Sequence, residues 1–495
     1  MEIRYKSTRS DREAIPASQA ILRGLSDEGG LFVPERIPAL GRPLAELAQM
    51  DYRQVACEVM KLYLGDFTEE ELRDCIAGAY DGKFDTEAVA PLAKVGDTYY
   101  LELFHGPTIA FKDMALSILP YLMTTAMKKN GVSRETVILT ATSGDTGKAA
   151  LAGFADVPGT RIIVFYPRDG VSEIQKRQML TQKGANVAVV GVNGNFDDCQ
   201  NGVKEIFGNK ALGEEMARAG LAFSSANSIN IGRLVPQIVY YVYAYASLLR
   251  EGEIADGEPI NIAVPTGNFG NILAAYYARQ MGLPVKKLIC ASNENKVLYD
   301  FFSTGAYDRN RPFILTSSPS MDILISSNLE RLVYETAGCD AQATAALMKS
   351  LAAEGSYRIS EEMRARLAPF FGGFATEEEA ARKISDTFAR CGYVMDTHTA
   401  VAAAVADAYR RETEDGTKML VVSTASPYKF APSILKALSP EDEAGTAFDS
   451  VDTLARLSRM PVPAAVEELR DAPVLHHLHC EADQMEEQVR KLLAL

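Results

Sequence analysis

What this chain lacks narrows its class before any motif is read. Its 495 residues contain no run of 18 uncharged apolar residues, so no membrane span is expected. The N-terminus carries Glu2, Arg4 and Lys6 but not the apolar core of a secretory signal. No basic run with interleaved aromatics occurs, and the formal net charge is −14, which argues against nucleic acid or an anionic membrane as a partner. The seven cysteines are scattered from Cys57 to Cys480 without paired spacing, which fits reduced thiols and a cytoplasmic setting. Neither the phosphate-loop spacing of glycine and lysine nor the dinucleotide-binding glycine fingerprint is found, so a dehydrogenase is weakly supported.

What is present is ordinary for a soluble enzyme: 47% hydrophobic and 23% charged residues, in a chain long enough for two to four domains. Residues 1–95 read as a mostly helical domain, with amphipathic stretches at Leu44–Tyr63 and Glu69–Ala79. From residue 96 onward strands alternate with helices. Apolar strand runs are expected at Tyr99–Phe104, Val137–Thr142, Arg161–Tyr166, Asn186–Val190, Ile260–Pro265, Lys287–Ala291 and Met419–Ser423. Helical patterns lie between them, at Met114–Met127, Lys148–Phe154, Ile174–Thr181, Asp197–Phe207, Ile231–Leu249 and Ile272–Arg279. This alternation predicts an α/β fold with a parallel sheet flanked by helices. Residues 325–395 read as a helical insertion whose run Glu377-Glu378-Glu379 is a solvated face, and the chain beyond 440 reads as loop and terminal helices.

Four stretches carry candidate chemistry, all at turns. His105-Gly106-Pro107-Thr108-Ile109-Ala110-Phe111-Lys112 places a lysine where a turn hands over to a helix. A helix start is locally positive, which would favour a neutral, nucleophilic amine, although a lone lysine also reads as a surface residue. Thr266-Gly267-Asn268-Phe269-Gly270-Asn271 lies between a strand and a helix, where backbone N–H groups converge on an anion; alone it reads equally as a tight turn. Ser143-Gly144-Asp145-Thr146-Gly147 is a second donor-rich turn, suited to a carboxylate or phosphate or simply to capping a helix. Thr424 ends the last strand, with a hydroxyl able to bond a ring nitrogen or to shape the turn before Pro427. The loop Gly191–Asn195 follows a strand end, where ligands sit in such sheets. His476, His477, His479 and Cys480 cluster without metal-ligand spacing and read as solvated or packing residues rather than a zinc site.

Taken together and in this order, these residues resemble the bacterial and fungal threonine synthases, within the fold type II pyridoxal-phosphate enzymes related to the tryptophan synthase β subunit. Tyr5-Lys6-Ser7-Thr8-Arg9, Asp27–Pro34, Asn227–Asn230, Asp396-Thr397-His398-Thr399-Ala400 and Ser423–Phe430 join the resemblance, which covers most of the chain. It implies large and small parallel-sheet domains with helices on both faces. The expected organisation is 1–95 N-terminal, 96–130 with 231–440 as the large domain, 131–230 as the small domain and 441–495 as a helical extension.

The resemblance further implies pyridoxal 5′-phosphate held by Lys112 as a Schiff base. Gly267, Asn268, Phe269, Gly270 and Asn271 would cradle its phosphate, and Thr424 would face its ring nitrogen. Ser143, Gly144, Asp145, Thr146 and Asn230 would receive the substrate, with Lys148 and Arg233 as candidate partners for its phosphate. Asp145 departs from the asparagine common in the wider fold type. The implied reaction eliminates phosphate from O-phospho-L-homoserine and adds water to give L-threonine, in a monomer or homodimer without a catalytic metal. The alternatives are another lyase of the same fold type, such as a dehydratase or phospholyase, and a non-catalytic relative that binds a phosphorylated metabolite.

Overall fold

The apolar run Ile260–Pro265 is buried at every position, which only a sheet covered on both faces allows. The computed structural model describes residues 2–142, 144–168, 171–441 and 445–495. It places this run inside a six-stranded sheet. The strand order is Phe370–Phe374, Val285–Ser292, Ile260–Pro265, Lys418–Ser423, Thr98–Glu102 and Leu92–Val95. All neighbours are parallel except the last pair, an antiparallel hairpin. A second sheet of five parallel strands runs Leu478–Glu481, Val187–Asn193, Thr160–Pro167, Glu135–Ala141 and Leu221–Ser224.

Parallel strands deliver the loops that follow them to one edge, and ligands bind at that carboxyl edge. The loops after Glu102, Pro265 and Ser423 therefore share the same end of the large sheet. Behind them runs the helix Ile231–Arg250, buried from Ile231 through Leu248. A helix apolar on all sides must be internal, and this one packs against Tyr52–Tyr63 and Gly270–Gln280.

The entry helices start where side chains satisfy their free N–H groups. Asp51 with Gln54, and Thr68 with Glu71, form reciprocal caps. The predicted helix over Met114–Met127 is divided into Asp113–Leu116 and Leu119–Lys129, with Pro120 in the first turn of the second, where its missing N–H costs nothing. The acidic run is the first turn of Glu377–Cys391, where the helix dipole favours it; Glu378 and Glu379 are exposed, but Glu377 accepts from Ser317 N at 3.0 Å.

Within the six- and five-stranded sheets, four strands lie where no strand was expected. Leu92–Val95 and Leu221–Ser224 are short, Phe370–Phe374 contains two glycines, and Leu478–Glu481 sits among histidines. The stretches 325–395 and 441–495 are thus not purely helical. The Gly191–Asn195 loop is also different: the strand continues to Asn193, beside Glu481, and Asn195 caps the helix Phe196–Gly208.

The N-terminal segment is tied to the core by charge. Thr8 Oγ1 donates to Glu330 at 2.5 Å, and Arg9 makes a two-pronged pair with the same buried carboxylate at 2.8 and 2.7 Å. Bidentate pairs with such a carboxylate are the strong kind. Arg9→Met should therefore cost about 2 kcal/mol, the usual worth of hydrogen bonds to a buried charge, read as a lower denaturant midpoint. An unchanged midpoint would show that this contact does not hold the segment.

Candidate active site

Lys112 is delivered to the carboxyl edge by a short seam between two loops. Phe111 N donates to Thr424 O at 2.8 Å, Ser426 N donates to Ile109 O at 3.0 Å, and Ala110 bridges Ala425. The side chain is 11% exposed. Its Nζ donates to Ser320 Oγ at 3.1 Å and lies 3.5 Å from Asp145 Oδ2. Burial lowers the Lys112 pKa; Asp145 opposes this, and the Lys429 and Arg233 cations reinforce it. The cause is thus desolvation and neighbouring charge rather than the helix start, since Asp113–Leu116 is a single turn.

Asp145 comes from the other sheet, in the first turn of the helix Asp145–Phe154. Its Oδ1 pairs with Lys429 Nζ at 2.8 Å and accepts from Gln175 Nε2 at 2.7 Å, while Oδ2 accepts from Ser320 Oγ at 3.2 Å. Burial pushes this carboxyl up, but Lys429 and Lys112 hold it well below the usual carboxylate range. Lys429 is fully buried and also donates to Thr108 O at 2.9 Å. Gly144 precedes this helix with φ of 153°, and a Cβ there would lie 2.6 Å from the Gln175 amide, so only glycine fits. Thr146 is half-buried on the same turn, and Ser143 lies outside the described residues.

The glycine–asparagine turn meets the loop that carries Ser320, on which Lys112 rests. A Cβ on Gly267 would come within 2.4 Å of Ser320 O, so glycine is what lets these two loops touch. Phe269 adopts φ of 65° ahead of the helix Gly270–Gln280. The turn is braced from behind: Ser326 Oγ donates to Gly267 O at 2.7 Å, and Asn328 donates to Asn268 O from both its backbone and its amide. Asn328 is held in turn by the buried Arg331, which also donates to Phe32 O and Ile229 O. Asn271 Oδ1 accepts from Tyr240 and Tyr241 at 2.5 and 2.6 Å, and its buried Nδ2 has no partner among the described residues. Thr424 is buried, its backbone fixed between Thr399 Oγ1 and Phe111 N.

Among the described residues, other candidates put no side-chain hydrogen bond into this cluster. Asn230 spends both polar ends on structure, accepting from Gly232 N at 2.8 Å as a helix cap and donating to Ile21 O at 2.9 Å. Arg233 is buried, donates to Ala226 O, and has an Nε without partner among the described residues; burial lowers its pKa to about 10. Lys148 is buried against Gln182, and burial lowers it to about 7. His105 sits between Asp85 and Glu102 at 2.6 and 3.1 Å; burial opposes its protonation, but the two carboxylates win and raise its pKa. In the C-terminal cluster His477 and His479 are exposed while Cys480 is buried, and no group of three metal-ligating side chains occurs among the described residues.

Sequence reasoning gave no role to Ser320, Lys429, Gln175 or the Asp396–His398 pair. Lys429 and His398 lay inside stretches already singled out, so position beside Thr424 was a usable signal for the first. Ser320 and Gln175 carry none, being a serine in a polar loop and a glutamine in a weakly patterned helix.

Comparison with known proteins places the chain in a family. Residues 4–80 match the model described as "Threonine synthase N terminus", 87–369 match "Pyridoxal-phosphate dependent enzyme", and 399–487 match "Threonine synthase, C-terminal". A threonine synthase from Pseudomonas aeruginosa is 37% identical over 88% of this chain and 90% of its own. The chain belongs to the threonine synthase family of pyridoxal-phosphate-dependent enzymes. A crystal structure of PLP-bound threonine synthase from Brucella melitensis superposes with a TM-score of 0.87 at 35% identity, covering 100% of both chains, so the expected fold type II architecture is borne out. Threonine synthase-like 1 from Pongo abelii is 38% identical over 96% of this chain, which spans 66% of that protein's length.

The residues present fit the family's cofactor. A phosphate needs donors without side-chain obstruction, and the turn supplies Gly267, Gly270, a helix start and the unpartnered Asn271 amide. A carbonyl-reactive cofactor needs a buried amine of lowered pKa, which Lys112 has.

Breaking the pair between Asp145 and Lys429 would leave a buried charge short of its partner. Lys429→Met should cost about 3 kcal/mol, as losing one member of a buried ion pair does, measured by equilibrium unfolding. A loss below about 1 kcal/mol would show that this pair is not a strut between the two sheets.

Proposed function

We propose that the protein is a threonine synthase, converting O-phospho-L-homoserine and water to L-threonine and inorganic phosphate. The observation that carries this reading is the buried Lys112 amine, facing Asp145 and Ser320 at the carboxyl edge of the large sheet. Lys112 would hold pyridoxal phosphate, Gly267, Asn268, Phe269, Gly270 and Asn271 would receive its phosphate, and Thr424 would meet its ring nitrogen. The cofactor, when bound, supplies an electron sink for a carbanion next to the substrate nitrogen.

The chain's own groups then have distinct tasks. Lys112, neutral more readily than an ordinary lysine, takes and returns protons at the substrate's carbon atoms. Asp145 stays ionised throughout and supplies a fixed negative charge beside that amine. Gly144 and Thr146 offer donors to the substrate beside the small sheet, a role the family resemblance also gives Ser143. Arg233 is a buried cation suited to a phosphate dianion, and Lys148, lowered to about 7, would gain its proton beside one. Burial of the cluster excludes water until one is needed at a defined step.

The decisive assay follows phosphate and threonine together. Wild-type protein should release both in equal amounts from O-phospho-L-homoserine, and Lys112→Ala should lose at least 10³-fold in kcat and the visible absorbance of the bound cofactor, as loss of a covalent catalyst does. Turnover of threonine or phosphoethanolamine with none of phosphohomoserine would move the protein to another lyase activity. No turnover and no absorbance would leave a binding protein.

The pH profile tests the role of the amine. Lys112 must be unprotonated to accept a proton, so kcat should fall as pH decreases. The acid limb should lie below the ~10.4 of an ordinary lysine, because burial disfavours the charged form. A limb at the ordinary lysine value would contradict this assignment.

A further inference from the structure

The Lys112 amine rests on a serine that no motif explains. Ser320 lies on the turn Pro319–Met321, and both its N–H and its hydroxyl are hydrogen-bonded. Its N–H donates to His398 Nε2 at 3.2 Å, and its carbonyl abuts Gly267. Its hydroxyl accepts from Lys112 at 3.1 Å and donates to Asp145 Oδ2 at 3.2 Å, which uses the hydroxyl proton and leaves a lone pair for the amine.

The loop is fixed on both sides. His398 Nε2 accepts a backbone proton, so the ring proton sits on Nδ1, which donates to Asp396 Oδ1 at 2.8 Å. Asp396 is fully buried and caps the helix Thr397–Thr413 through His398 N and Thr399 N. Thr397 Oγ1 donates to Ser317 O at 2.7 Å, and Asp322 closes the loop onto Thr316 N and Oγ1. A line of hydrogen bonds therefore runs from a helix cap through an imidazole and a serine to the amine.

We propose that Ser320 and Asp145 hold the Lys112 amine whenever it is not bonded to the cofactor, and that His398 is the positioning residue that fixes Ser320. This rests on the reading of Lys112 as the cofactor-bearing lysine. A freed lysine regains a flexible four-carbon stem, whose ordering carries an entropic cost. An acceptor pair set in advance keeps it within reach of the reacting atoms. Asp145 is held well below the usual carboxylate range, so the serine anchors the amine rather than passing its proton on.

The test is amine reactivity in the full-length chain. Labelling of Lys112 by a small anhydride at pH 8, without added cofactor, is compared with labelling of an exposed lysine in the same sample. Ser320→Ala removes one acceptor from the ammonium and should raise the relative rate about tenfold, the equivalent of one hydrogen bond to a charged group. His398→Asn keeps the bond to Asp396 but loses the acceptor for Ser320 N, and should raise it at least threefold. His398→Gln can restore that acceptor and should stay within twofold of wild type. With cofactor and substrate, Ser320→Ala should lower kcat about tenfold and change KM less than twofold. Unchanged labelling in Ser320→Ala overturns the proposal, as does equal labelling in the two His398 variants. If no substrate turns over, the labelling result still decides, so a wrong activity and a wrong anchor are told apart. If the His398 variants do not fold, Ser320→Ala alone decides.

Discussion

One buried carboxylate organises the junction of the two sheets. Asp145 enters from the small sheet and meets Lys429 and Lys112 from the large one, with Gln175 and Ser320 filling its remaining acceptor positions. A buried charge is tolerable only when such partners surround it. The two domains therefore have to close in one register. The same contact bears on the proposed chemistry, because the charge that satisfies Asp145 is in part that of Lys112, the lysine proposed to hold the cofactor.

Around this junction, the parallel topology does the positioning. Strands ending at Glu102, Pro265 and Ser423 bring their loops to one edge, and the short seam between Ile109–Phe111 and Thr424–Ser426 sets the direction of Lys112. Glycine serves where loops touch: Gly267 against the carbonyl of Ser320, Gly144 against Gln175. Behind the turn, Arg331 and Asn328 hold the backbone of Asn268, so the shape of the turn does not depend on an anion. Rigid scaffolding with donors aimed inward is what electrostatic catalysis requires.

Much of this was legible one residue at a time. Apolar runs buried on both faces announce themselves by the absence of alternation, and the strands expected at 260–265, 287–291 and 419–423 are present for that reason. Short edge strands such as Phe370–Phe374 were missed because two glycines and aromatic residues carry no strand period. Asn230 was read as facing substrate, yet its amide spends both ends on the backbone of Ile21 and Gly232, which no linear pattern reveals. The lowered pKa of Lys112 was anticipated for the wrong reason, a helix start, when burial and nearby cations are responsible.

The amino-acid order alone determined the class of fold, the glycine–asparagine turn, the lysine after the Gly-Pro turn and, through their joint resemblance, the family. These are local signals, carried by periodicity and by residues that only a few backbone shapes accept. The tertiary structure decided which charges meet. Lys112 and Ser320 are 208 positions apart, and Lys112 and Asp145 follow strands of different sheets. Electrostatic environment depends on distance through space and on exclusion of water, and neither quantity is written along the chain.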